Sequence, residues 1–343
     1  MKHPKEGERL LKIVEGFPKL TITVLADLVA DEFVFGEISR VSREAPVLIL
    51  KHRERTVVPG GGANAANNLA ELGVNVLPVG LVGDDEPGRL LIKYFRQKRI
   101  PVSGVLKDKS FTTVTKTRIL AGMAHTSRQQ VVRVDREPQE APNSHLTREL
   151  YLAARNYAHA SDALLVSDYG YGAATPAILS TLRGKGKVGS VPIVLDSRYR
   201  MLQYEGATAA TPNEPEVEDA LGVRIGQDWD KVVRAGEQLM VRMKLRSLVI
   251  TRGRDGMVAF NHKHKPVDIP IFGSDQVADV TGAGDTVIAA FTAALAAGAT
   301  TEEAAQVANY AGGIVVMKRN TATVSRDELL RAIEQSPPAT RPH

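Results

Sequence analysis

A series of short, almost uninterrupted apolar runs, each closing on a polar residue, constrains this chain more than any other feature. They are LTITVLAD (Leu20 to Asp27), NVLPVGLVGDD (Asn75 to Asp85), DALLVSD (Asp162 to Asp168), VPIVLD (Val191 to Asp196), ATAATPN (Ala207 to Asn213) and SLVITR (Ser247 to Arg252). Continuous rather than alternating hydrophobicity marks strands covered on both faces. Helical segments separate them: Ala63 to Leu72 with Gly73 as its stop, Leu90 to Lys98, Leu146 to His159 and Trp229 to Lys244. Such alternation predicts an α/β fold, a doubly wound and mostly parallel sheet flanked by helices.

Two stretches break the rhythm. Residues 32–57 and 110–135 hold β-rich segments such as PVLILKHRERTVV and FTTVTKTRIL, without a helical period. They predict a small antiparallel sheet standing apart as a lid; edge hairpins on the main sheet are the other reading. One domain is expected over 1–335, and the Pro-rich, polar end, 336–343, is expected to be disordered. Cysteine is absent, which excludes disulfides, Cys-ligated metals and thiol catalysis. With 44 Lys+Arg against 39 Asp+Glu, the net charge of +5 is small and scattered, and aromatics are only 5%. Nucleic acid is therefore not an expected partner. The start, MKHPKEGERLLKIVEGF, has no continuous apolar core, and the most apolar stretch, Val287 to Ala299, is too short to span a bilayer. It reads as a buried helix, with no membrane role and a cytoplasmic location.

In open parallel sheets, ligands sit beyond the carboxyl ends of the strands. Those ends carry Asp27, Asp84, Asp168, Asp196, Asn213 and the Thr251-Arg252-Gly253 turn. Helix caps account for part of this set, a wide polar cleft for the rest. The sharpest segment is DVTGAGDTVIAAFTAALAAG (Asp279 to Gly298), a Gly-Ala-Gly turn running into an apolar helix. The amides of Gly282, Ala283 and Gly284 would make an anion site at a helix N-terminus. Asp285 follows at once. A carboxylate beside an anion hole suits phosphoryl transfer: the amides offset charge on the moving group while the carboxylate accepts the proton of the attacking hydroxyl. A simple helix cap is the other reading of Asp285. The second glycine cluster, PGGGANAANNLAELG (Pro59 to Gly73), leads into a helix through Asn64 and suits sugar hydroxyls; a plain loop is its alternative. There is no GxxxxGK[ST] loop, and Ala26-Asp27 stands where a dinucleotide fingerprint would begin.

Together the two glycine clusters resemble the paired signatures of the ribokinase/PfkB carbohydrate kinases, over about Leu20 to Ile333. The resemblance implies a ribokinase-like fold with a β lid and phosphoryl transfer from ATP to a sugar. It implies Asp285 as catalytic base and Gly282, Ala283 and Gly284 as the anion hole. Asp27, Gly61, Gly62 and Asn64 would hold the sugar. TPNEPE (Thr211 to Glu216) resembles the family's NxxE motif, in which Asn213 and Glu216 organise Mg²⁺ through water. TRGRDG resembles the nucleotide-side turn, bringing Thr251, Gly253 and Gly256 to ATP, with Asn309 near the adenine. Asp279 and Thr281 resemble ligands of a monovalent cation, K⁺.

A narrower resemblance lies in SRVSREAPV, TVTKTRIL, QQVVRVDRE, LLVSDYGYG and NTATVS. These look like the kinase module of ADP-heptose synthesis, which phosphorylates D-glycero-D-manno-heptose 7-phosphate at its anomeric hydroxyl. Arg40, Lys116, Arg118 and Arg133 would then meet the sugar's existing phosphate, a solvated lid surface being the alternative. Three positions depart from that pattern: Ala26 stands for Gly, Tyr171 for the Lys of DYxKG, and Ser197-Arg198 for Pro-Lys. Arg198 would keep a positive charge near the transferred phosphate. A ribose, fructose or fructose phosphate kinase is the nearest rival, and a catalytically silent nucleotide-binding regulator a more distant one. Exposed lid edges predict a homodimer.

Overall fold

The computed structural model describes residues 4–122, 129–182, 191–262, 264–273, 280–318, 322–336 and 339–341. Helix α1 (Pro4–Glu15) leads to β1 (Thr21–Ala26), and the chain then rises into β2 (Leu28–Val41) and β3 (Leu48–Gly61). It returns through α2 (Gly62–Glu71), β4 (Asn75–Gly83), α3 (Glu86–Gln97) and β5 (Val105–Asp108) before β6 (Val114–Gly122) and β7 (Gln129–Arg136). Next come α4 (Ser144–Ala158), β8 (Ala163–Asp168), α5 (Ala177–Leu182), β9 (Ile193–Ser197), β10 (Ala209–Ala210), α6 (Glu214–Leu221) and α7 (Trp229–Met243). The last part is β11 (Ser247–Thr251), β12 (Met257–Asn261), β13 (His264–Ile269), α8 (Ala283–Ala296), α9 (Thr301–Val316) and α10 (Arg326–Gln335).

The main sheet runs β13-β12-β11-β10-β9-β8-β1-β4-β5. All its pairings are parallel except those of β12, which is antiparallel to β11 and β13. Successive residues of one strand enter opposite cores. Ile22, Val24 and Ala26 of β1 pack with α1, α2, α8 and α9, whereas Leu25 packs with α4, α5 and α7. That two-sided burial is why the strands read as continuous apolar runs. The chain leaves β1 toward β4 and β5, then comes back to place β8 on the other side of β1. The strand order therefore reverses between β1 and β8, where an open sheet leaves a crevice.

Strands β2, β3, β6 and β7 form a separate sheet in the order β3-β2-β6-β7, so the lid reading holds and the edge-hairpin reading falls. It is not wholly antiparallel as expected: its central pair, β2 with β6, is parallel. The reason is connectivity, since the chain crosses the main sheet between the two hairpins and re-enters the lid in the same direction. Helix α3 starts at Glu86, four residues before the expected Leu90, because the Asp85 carboxylate caps it by accepting the Gly88 N–H. Helix α8 is buried along almost its whole length, as its composition predicts. Part of the tail expected to be disordered is tied down: the Arg341 N–H donates to the Asp268 carbonyl at 2.9 Å. Among the described residues, no helix is long and apolar enough to cross a membrane.

Candidate active site

Gly282, at φ +79°, turns the chain into α8, and Asp285 occupies the first helical turn. The Asp285 carboxylate is 5% exposed and carries one donor on each oxygen. Asn64 Nδ2 donates to Oδ2 at 2.8 Å, and the Tyr169 hydroxyl donates to Oδ1 at 2.8 Å. Burial outweighs both donors and pushes its pKa up to about 6. Asn64 is fixed in turn. Asn68, one turn along α2, donates to Asn64 Oδ1 at 3.1 Å, and the Thr286 hydroxyl donates to Asn68 Oδ1 at 2.9 Å. This polar ladder joins the first turns of α2 and α8. Asn64, expected on the sugar, thus has both ends of its amide engaged by protein, and it orients the Asp285 carboxylate.

The glycines separate by what surrounds them. A Cβ on Gly62 would overlap that of Ala26, one on Gly60 would meet the Asp31 carboxyl, and one on Gly61 would lie 2.9 Å from Val29 and 3.2 Å from the Tyr169 ring. Gly62, expected against the sugar, is therefore required by the seating of α2 on β1. A Cβ on Gly284 would meet nothing within 4 Å. The expected three-amide anion hole is narrower than its sequence implies, because the Ala283 N–H already donates to the Val280 carbonyl at 3.2 Å.

Asp27 is also more deeply engaged than expected. Its carboxylate accepts backbone N–H bonds from Tyr169, Tyr171 and Ala173 at 2.8–3.0 Å. Burial, with the nearby Asp168 charge, still raises its pKa to about 6. It shapes the loop after β8. The carboxylate facing Asp285 from the lid side is Asp31, four residues on, which sequence reasoning missed; the signal was the acidic pair Asp31-Glu32 interrupting the apolar start of β2. Asp168 is bound by the Arg200 guanidinium, the Ser197 hydroxyl and the Tyr204 hydroxyl. Asp84 lies in surface ion pairs with Lys107 and Arg89.

Two cavities meet at the start of α8. One, of about 520 Å³, lies over the strand ends between Tyr169, Asp196, Arg198, Glu216 and Gly284. The other, of about 280 Å³, runs between Thr251, Gly253, Gly256, Ala283 and Asn309. The Asn309 amide donates to the Pro270 carbonyl at 2.9 Å and accepts the Phe272 N–H at 3.3 Å, so it builds the wall of this second cavity. Asn213 and Glu216 form a capping box at the start of α6: each side chain accepts the other's backbone N–H at 2.9 Å. The Glu216 carboxyl still lines the larger cavity, where burial lifts its pKa and Arg198 opposes the rise. Asp196 is held well above the usual carboxylate range by burial and by the Glu216, Asp285 and Asp168 charges. Crowded carboxylates of this kind suit a hard cation met through water, since among the described residues no three acidic or histidine side chains are placed to hold a metal ion directly. Of the proposed K⁺ ligands, Thr281 stands just ahead of α8, and Asp279 lies outside the described residues.

On the lid, Arg118 pairs with Asp31 at 2.7 Å and Arg133 clasps Asp135 through two bonds of 2.8 and 2.6 Å. Lys116 is 8% exposed, with Nζ 5.2 Å from the centroid of the Tyr169 ring. Burial, with Arg198 and Arg133 adding to it, lowers its pKa, and Asp31 opposes them. Arg40 is exposed near the far end of β2.

A buried carboxylate in the first turn of a helix, next in the chain to the Gly284 that lines both cavities, suits phosphoryl transfer. Residues 29–328 match the pfkB family of carbohydrate kinases. The chain belongs to that family. It is accordingly an ATP-dependent sugar kinase. A protein of Geobacter metallireducens named Bifunctional protein HldE is 40% identical over 308 residues, covering 90% of this chain and 61% of the relative. Its namesake in Gluconobacter oxydans is 37% identical over 330 residues, covering 96% of this chain and 67% of the relative. The chain thus spans about three fifths to two thirds of the length of these relatives. Arabidopsis thaliana ribokinase, solved with ribose and ATP, shares the fold with a TM-score of 0.71 at 19% identity, over 92% of this chain and 99% of that one. Escherichia coli phosphofructokinase-2, solved with potassium, does so with a TM-score of 0.72 at 17% identity, over 92% and 98%.

Proposed function

We propose that this kinase transfers the γ-phosphoryl group of ATP to the anomeric hydroxyl of D-glycero-D-manno-heptose 7-phosphate. The observation that carries the reading is the set of three cations Lys116, Arg118 and Arg133 on the neighbouring lid strands β6 and β7, with Arg118 and Arg133 sharing their charge with Asp31 and Asp135. An acceptor that already bears a phosphate matches that charge. The relatives named Bifunctional protein HldE support the same acceptor.

Asp285 takes the proton from the attacking hydroxyl. Its pKa of about 6 leaves it ionised near neutrality, with more basicity than an ordinary aspartate. Asn64 orients it, and Asp31, paired with Arg118, offers an acceptor to the sugar's hydroxyls. ATP occupies the second cavity, with its phosphates toward the Gly284 amide at the α8 N-terminus. Glu216 and Asn213 would hold hydrated Mg²⁺, which offsets phosphate charge when bound. Arg198, exposed at the cleft, supplies a positive charge in a site where Tyr171 replaces lysine; the Tyr171 hydroxyl donates to Glu137 at 2.8 Å instead. Val131, Val132 and Val134 of β7 are about half exposed. A second copy covering them would make the lid-to-lid homodimer, and dependence on ATP fits a cytoplasmic enzyme.

The test is ADP release with a panel of sugars and sugar phosphates. The heptose phosphate should give the highest kcat/KM. Preference for an unphosphorylated sugar overturns the acceptor assignment, and tight ATP binding with no acceptor phosphorylated favours a silent regulator.

A further inference from the structure

Tyr169 follows the last residue of β8 and no role was expected of it. Three contacts fix it in place: its N–H donates to Asp27 at 2.9 Å, its hydroxyl donates to Asp285 at 2.8 Å, and the Lys116 ammonium lies over its ring, while a side chain on Gly61 would come within 3.2 Å of that ring. Burial and the Asp285 and Asp196 charges hold the phenol well above its ordinary pKa, so it stays protonated and acts only as donor toward the carboxylate. The terminal torsion of an aspartate is broad and soft. One donor would leave the carboxylate free to swing. Two donors, one on each oxygen, set its plane, and Asn64 supplies the other.

We propose that Tyr169 is a positioning residue, whose hydroxyl fixes the plane of the Asp285 carboxylate and whose ring, under Lys116, ties that grip to the seating of the lid. The proposal rests on the kinase reading above. Other charges face Asp285 from each neighbouring element: Asp31 from β2, Lys116 from β6 and Asp196 from β9. Asp31 raises its pKa; Lys116, Asn64 and Tyr169 lower it.

Tyr169→Phe keeps the ring and removes the donor. With the preferred acceptor, kcat should fall about tenfold while the KM for ATP changes less than about twofold, the split expected of lost alignment. The acid limb of the kcat/KM profile should move up by about one pH unit, because a donor to the ionised base is gone. Placing 3,5-difluorotyrosine at 169 keeps the shape and strengthens the donor, so the limb should move down. This second variant decides the matter if Tyr169→Phe does not fold. An active wild type whose kcat and acid limb are unchanged in these variants overturns the proposal alone. A wild type inert toward every acceptor overturns the kinase reading, and the proposal with it.

Discussion

The two glycine clusters look alike in the sequence and serve opposite purposes in the fold. At the start of α2, the space a side chain would need is filled by the protein itself: Ala26 against Gly62, Asp31 against Gly60, Tyr169 and Val29 against Gly61. At the start of α8, the space beside Gly284 is open and adjoins both cavities. The first cluster brings two helix N-termini close enough for Asn64 to reach Asp285. The second leaves open space at the end of a helix dipole. A glycine-rich turn before a helix therefore signals close approach, without saying whether protein or ligand does the approaching.

The strongest way to break this contrast is at Asp285, where the two clusters converge. Asp285→Asn should lower turnover on the order of 10²–10⁴-fold in steady-state kinetics with ATP binding preserved. Near-normal turnover would separate the clusters functionally. The same variant has a stability signature. Asp285 titrates at about 6 in the fold against 3.8 for an ordinary aspartate, so its ionised form is the one burial disfavours. Asp285 should account for about 2 kcal/mol of the stability the wild type loses as pH rises from roughly 4 to 6, and the Asn variant should lose that much less. Denaturant titrations at the two pH values measure the difference. Wild-type kcat/KM should also fall below about pH 6 as the base is protonated.

Glycine replacements sharpen the contrast next. Gly62→Ala should destabilise the fold by about 3 kcal/mol, since backbone and Ala26 must both move. Gly284→Ala should leave stability unchanged or raise it by about 0.5 kcal/mol, yet reduce turnover by about tenfold as its methyl enters the phosphate path. Thermal melting and kinetics on the same preparations read both. Equal loss of stability in the two variants would erase the distinction. The smallest effect is expected at α6: Asn213→Ala should cost about 1 kcal/mol as a lost helix cap. A higher Mg²⁺ requirement in that variant would show that the capping box also organises the cation.

Much of this was legible before any coordinates. Strands covered on both faces need apolar residues at every position, so β1, β8, β9 and β11 announced themselves, and with them the parallel sheet. The turn before α8 was equally plain as a local structure, because Gly-Ala-Gly ahead of a long apolar run marks where a buried helix starts. Burial in three dimensions escaped the sequence. Asp27 and Asp31 lie four residues apart in one acidic, β-rich stretch, and only the fold shows that backbone amides claim the first while the second faces Asp285. Tyr169 and Asn64 are more than a hundred residues apart, and only the meeting of α2, α8 and the loop after β8 puts one on each oxygen of Asp285. Chain-local order follows from periodicity and backbone preference, which neighbouring residues encode; partnership between distant polar groups follows from which surfaces pack together, and no single segment carries that information.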